Sequence, residues 1–181
     1  DRPETSVVTS YEWNGFKLLD TPGIDAPEAH ERVSREQLEK TDIILFVLAT
    51  DSGFEEKYVY QEIIKIVKSH RLMMLIINNK NSYNEDEASY RAIYDKILVN
   101  LNKEGRESSL PSLADNIQIH LVNAKSALKG KLENKKNLIK KSGIEEISIS
   151  IEKFLFIPTH SWKYELIWNV PHTGFFTGDK T

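Results

Sequence analysis

The chain has 181 residues, 40% of them hydrophobic and 28% charged, which suits one globular domain with an ordinary core and argues against two. A net charge of −3 excludes the broad basic excess of a dedicated nucleic-acid binder, so any basic patch is local. With no cysteine there is neither a disulfide framework nor a thiolate metal site, and a reducing cytoplasmic setting is the expectation.

Asp1-Arg2-Pro3-Glu4 has no initiator Met and no apolar signal core, and reads as the start of a piece cut from a longer sequence. Thr5 to Trp13 carries Val7, Val8, Thr9, Tyr11 and Trp13, residues suited to a strand, and Asn14-Gly15 follows as a hairpin turn. The next strand, Phe16 to Leu19, is therefore an antiparallel neighbour. It delivers Asp20 into a turn that breaks at Pro22-Gly23. An acid at the carboxyl end of a strand sits where open α/β sheets place ligands, and a glycine lets a backbone N–H approach one closely. Pro27 to Lys40 reads as a helix, with Glu28 near its start and Arg35 and Lys40 later to suit the helix dipole.

Ile43 to Ala49 is apolar at every position and reads as a strand buried on both faces. After an Asp51-Ser52-Gly53 turn, Glu55 to Ser69 shows helical spacing through Tyr58, Glu62, Ile63, Ile66 and Val67. Leu72 to Ile77 is a second two-sided strand ending in Asn78-Asn79-Lys80-Asn81. Asp86 to Asn100 is a further helix, followed by a polar loop with Gly105 and Pro111. Ile117 to Val122 reads as a core strand ending in Asn123-Ala124-Lys125, and Gly143 to Phe156 as the closing helix. Neither apolar strand run approaches the ~20 residues that span a bilayer. Strands alternating with helices at this spacing predict an α/β fold of three layers, a mostly parallel sheet with helices on both faces.

Three of these strands end in polar sequences, in a fixed order: Asp20-Thr21-Pro22-Gly23, then Asn79-Lys80, then Asn123-Ala124-Lys125. In order and spacing they resemble the loops of the translation-factor-like GTPases, Era-like and dynamin-like bacterial members in particular, over about residues 2 to 156. The resemblance implies a Ras-like P-loop GTPase fold that binds GTP or GDP with Mg²⁺. It implies that Asp20 holds Mg²⁺ through water, that the Gly23 N–H meets the γ-phosphate, and that Thr5, in Pro3-Glu4-Thr5, is the switch threonine on the metal. Asn79, Lys80, Ala124 and Lys125 would build the base pocket. Chemistry agrees with these roles, since Mg²⁺ takes hard oxygen ligands and a lysine stem can lie against a purine.

The chain departs from that pattern in places. Ser82 stands where the family has the guanine-reading aspartate, and a hydroxyl cannot accept two parallel N–H bonds as a carboxylate does. Ile24 stands where Ras-like members place the water-orienting glutamine, which implies slow or partner-dependent hydrolysis. No Gly-x-x-x-x-Gly-Lys-Ser/Thr precedes Thr5, so the phosphate loop and its strand are missing from the pattern or replaced. Residues 1 to 157 then form an incomplete GTPase-like domain and 158 to 181 a tail. The tail's apolar segment 164 to 170 either takes the place of the first strand or lies on the surface.

Lys125 to Lys141 holds seven lysines against Glu133 alone. With few sizeable apolar residues, it is expected to be a solvated loop, with acidic lipid or RNA as the functional alternative. His30, His70, His120, His160 and His172 show no metal-ligand spacing. Two functions fit these residues: a GTP-binding switch domain, cytoplasmic or peripheral to a membrane, and a nucleotide-free interaction module with a protein partner or a second copy of itself.

Overall fold

The computed structural model describes residues 9–13, 16–20, 41–51, 53–69, 72–81 and 87–156. Thr5, Gly23, Ser82, the helix expected over 27 to 40 and the segment 164 to 170 lie outside the described residues. The chain divides into two compact units, Asp1–Ile44 and Leu45–Thr181.

In the first unit, β1 (Thr9–Trp13) and β2 (Phe16–Asp20) form the expected antiparallel pair, in register from Thr9 opposite Asp20 to Trp13 opposite Phe16. The pairing follows from the β-branched and aromatic residues of the two strands, Thr9, Tyr11, Trp13 and Phe16.

The second sheet has the order β3-β4-β5, from Ile43–Ala49, Leu72–Asn78 and Gln118–Val122. It is the parallel three-stranded sheet of an α/β fold, with β4 and β5 paired from Met74 opposite Gln118 to Asn78 opposite Val122. Met73 to Ile77 are all buried; consecutive strand residues point to opposite sides, so β4 is covered on both faces. β3 differs from the two-sided strand its sequence predicts. Ile44, Phe46 and Leu48 are buried, whereas Val47 between them is 59% exposed. Apolar composition alone does not distinguish a strand covered on both faces from one covered fully on one.

Among the described residues the helices are α1 (Lys57–Lys68), α2 (Ala88–Glu107), α3 (Ala124–Leu132), α4 (Lys136–Lys141) and α5 (Ile144–Phe156), with a 3₁₀ turn at Leu113–Asn116. α1 packs on β4 and α2, and α5 on β5. Val59, Tyr60, Ile63, Ile64 and Val67 recur at helical spacing and bury one face of α1. Ile97 and Leu101, fully buried and four apart, do the same for α2.

Between these two helices, Lys57 Nζ lies 3.3 Å from the buried Glu104 and 3.1 Å from Glu107. Asn100 Nδ2 donates to Tyr60 Oη at 3.3 Å, and Tyr60 in turn donates to the Phe54 carbonyl. Burial raises the Tyr60 hydroxyl above its ordinary pKa, with the Asn100 hydrogen bond opposing that shift.

Two differences from the sequence expectation concern element bounds. α2 runs on to Glu107 because Leu101, Glu104 and Gly105 continue its buried stripe. Residues 124–132 and 136–141 are helices, where the lysine-rich composition predicts a solvated loop. Helices this short are not held by propensity alone; α3 and α4 pack on each other, with Gly130 against Ile139, and that packing outweighs the like charges.

Candidate functional site

The carboxyl ends of β3, β4 and β5 meet through a short chain of hydrogen bonds. Thr50 N–H donates to the Asn78 carbonyl at 3.0 Å, and Asn79 N–H donates to the Val122 carbonyl at 2.7 Å. These extend the strand ladders one step past the strands, so the loops leave the sheet side by side. Loops at this edge of a parallel sheet are where ligands bind in open α/β folds.

The Asn79-Lys80 and Asn123-Ala124-Lys125 loops are joined directly. Asn78 Oδ1 accepts the Ala124 N–H at 3.2 Å. Asn123 Oδ1 accepts the Ser126 N–H at 2.8 Å, which caps α3. The Asn123 N–H donates to the Ser142 carbonyl at 2.8 Å, so the linker between α4 and α5 holds this loop from its other side. The structure thus brings together four of the residues expected in a base pocket: Asn79, Lys80, Ala124 and Lys125.

Asn79 is buried, at 6% exposure, whereas Lys80 and Lys125 are exposed. The Lys80 ammonium lies 3.6 Å from Asp51 Oδ2. Asp51 follows the end of β3 and belongs to the same cluster, a placement that its turn-forming sequence does not announce. Nor does the sequence announce Asn78. Of the two asparagines ending β4, the second matches the family's loop, yet the first carries the side-chain tie to Ala124. The signal was strand alternation: residues 77 and 79 are buried, and Asn78 points to the other side.

Thr50 is 2% exposed, and its Oγ1 has no hydrogen-bond partner among the described residues. A buried hydroxyl without a partner is uncommon, and here it adds an open donor and acceptor at the edge where the loops converge.

Asp20 closes β2 in the other unit with an exposed carboxylate, a hard oxygen donor of the kind Mg²⁺ takes. Thr5 and Gly23 lie outside the described residues. Among the described residues no cluster of three or more His, Asp or Glu side chains is placed to hold a metal ion. A single carboxylate fits a metal whose other ligands are water and phosphate, and does not fit an all-protein cage.

Comparison with known proteins gives a family match and several distant similarities. A curated uncharacterised protein in the xynA 3′ region of Caldicellulosiruptor sp. (strain Rt8B.4) is 26% identical over 163 residues, covering 89% of this chain and 37% of its own length. Among solved structures, Era in complex with MgGDPNP and a segment of 16S ribosomal RNA has 16% identity and a TM-score of 0.49, with 81% of this chain and 43% of that one covered. Aquifex aeolicus Era bound to GDP·AlF4⁻ has 18% identity and a TM-score of 0.45, covering 78% and 40%. This chain therefore spans less than half the length of each of these three proteins. Residues 2–81, which include Asp20, Gly23, Asn79 and Lys80, match the Dynamin family, the GTPase lineage that the ordered loops resemble.

Proposed function

We propose that the protein is a GTP-binding switch domain whose hydrolysis is slow or dependent on a partner. The observation that carries this reading is the Asn78–Ala124 hydrogen bond. It fixes the two loops expected to enclose a base against each other, at the edge of a parallel sheet. Under this reading Asn79 stiffens the pocket, the Lys80 stem lies along the base, and Ala124 and Lys125 line it from the opposite loop. Ser82 completes the loop without supplying a carboxylate.

GTP or GDP would bring Mg²⁺, held by Asp20 and Thr5 with water and phosphate oxygens, and the Gly23 N–H would report the γ-phosphate. The metal supplies charge neutralisation during phosphoryl transfer. The chain's own residues bind and orient, since such reactions rest on positioning more than on a protein base.

A second reading, a nucleotide-free interaction module, is favoured by a different observation. The Ala124 N–H and the Lys80 ammonium both already have partners within the protein, so the pocket groups are satisfied without a ligand. Titration with fluorescent GTP, GDP and ATP, with and without Mg²⁺, decides between them. The first reading expects micromolar binding of GTP that depends on Mg²⁺. Absence of binding at millimolar nucleotide overturns it and leaves the second.

A further inference from the structure

Seven lysines lie between residues 125 and 141, against the single acid Glu133, in a chain whose net charge is −3. Charge of one sign is thus concentrated on one short stretch while the remainder of the chain is acidic. Glu133 is already paired with Lys135 at 2.5 Å, a contact that lowers the Glu133 pKa. All seven lysines are exposed.

The fold gives this stretch a defined shape. α3 and α4 pack against each other, closest at Gly130, and Ala127 and Gly130 are the buried residues of α3. A Cβ on Gly130 would lie 2.8 Å from Ile139 Cγ1 and 2.9 Å from the Ile139 backbone nitrogen, so the close approach needs glycine there. With Ala127 and Gly130 turned inward, helical geometry turns Leu128 and Leu132 outward on one stripe, one turn apart. They are 60% and 78% exposed. On the same turns Lys129 flanks the leucines on one side and Lys131 on the other, and α4 adds Lys136, Lys140 and Lys141.

An outward leucine pair adds nothing to the core, which the small residues already close. Its place between lysines specifies the partner. RNA is read by arginine forks and aromatic stacking platforms, and residues 125–141 contain neither Arg nor an aromatic. An anionic lipid surface takes both halves of the pattern: leucines enter the boundary between headgroups and acyl chains, and lysine stems reach back to the phosphates.

We infer that the α3–α4 hairpin is a docking surface for an anionic phospholipid membrane, with Leu128 and Leu132 inserted and Lys129, Lys131, Lys136, Lys140 and Lys141 facing the headgroups. The inference does not rest on nucleotide binding, and Lys125, assigned to the base loop, has no part in it. No helix among the described residues is long and apolar enough to cross a membrane; the contact is one of lying on the surface.

The test is co-sedimentation of the whole chain with phosphatidylcholine vesicles containing or lacking phosphatidylglycerol. Binding is expected only to the anionic vesicles, weakening as salt is raised. Each of Lys129→Gln and Lys131→Gln is expected to lower the partition coefficient about fivefold. The double variant Leu128→Ser/Leu132→Ser is expected to lower it at least tenfold, because buried apolar area is lost. Its far-UV circular dichroism melt should be unchanged, since neither side chain packs in the core. Leu132→Trp, which keeps an apolar side chain, serves as a second readout: on anionic vesicles its fluorescence should shift to the blue by more than that of the wild-type chain, whose Trp13, Trp162 and Trp168 give the background. Failure to sediment with those vesicles overturns the inference, as does binding that survives the double leucine substitution. Tighter association with a single-stranded RNA, insensitive to the leucine variants, would instead make the patch an RNA contact.

Discussion

Asn123 serves two ends at once. Its backbone N–H holds the Ser142 carbonyl, and its side chain caps α3 by accepting the Ser126 N–H at 2.8 Å. Replacing it with Ala leaves that donor without its cap and should lower stability by about 1 kcal/mol, read as a shift in the urea midpoint with an unchanged slope. An unchanged midpoint would mean that water replaces the cap at no cost. A second residue-scale effect depends on pH. Burial lowers the pKa of His120 below its ordinary 6.5, with Glu146 opposing the shift, and its Nε2 has no hydrogen-bond partner among the described residues. Since the folded value lies below the unfolded one, the unfolded chain takes up the proton first as pH falls. The contribution of His120 to stability is therefore complete above 6.5 and is lost below it, at no more than about 1.4 kcal/mol per pH unit. The variant His120→Gln should flatten that part of the stability profile. Wild-type and variant profiles that run parallel through the window would show that His120 is not its source. Asn123 was legible in the sequence as part of a loop motif. The environment of His120 was not, because its burial depends on α5 closing over β5.

At the scale of elements, the join between α4 and α5 turns on Gly143. Its φ of +75° is in the left-handed region, and a Cβ there would lie 2.1 Å from the Leu121 carbonyl oxygen on β5. Gly143→Ala combines an unfavourable backbone region with a backbone clash and should cost at least about 2 kcal/mol. It should also loosen the Asn123–Ser142 contact next to it. Hydrogen exchange at the Asn123 amide would register that, and exchange as slow as in the wild type would detach the loop from this turn. Helix periodicity made α1 and α5 legible, and the alternation of strand and helix made the sheet legible. The lysine-rich hairpin was not. A run of like charges reads as solvated loop, and what overrides that reading, Gly130 seating one short helix on another, shows only once the partner helix is known. The left-handed turn at Gly143 is likewise fixed by the Leu121 backbone, more than twenty residues upstream in the chain.

At the scale of the whole molecule, the family match ends at residue 81, yet the candidate pocket does not. The Asn78–Ala124 hydrogen bond carries it across 46 residues of sequence, into a loop that only the order of motifs connects with the first. Under the GTP-binding reading, what that pocket lacks is the base-reading carboxylate, since Ser82 stands where the resembled family has its aspartate. If the two loops enclose guanine, Ser82→Asp supplies paired acceptors for the two ring-edge N–H groups, a gain of about 1.5–3 kcal/mol for charge-assisted hydrogen bonds. The expected result is guanine-nucleotide affinity raised tenfold or more with ATP affinity unchanged, because adenine presents no such donor pair. Competition titrations of wild type and variant with GDP and ADP measure the ratio directly. A variant whose preference between the two does not move would place the base elsewhere and remove Asn79, Lys80 and Ala124 from the site. A preference that moves while hydrolysis stays slow would separate base recognition from water orientation, the task for which Ile24 brings no polar group.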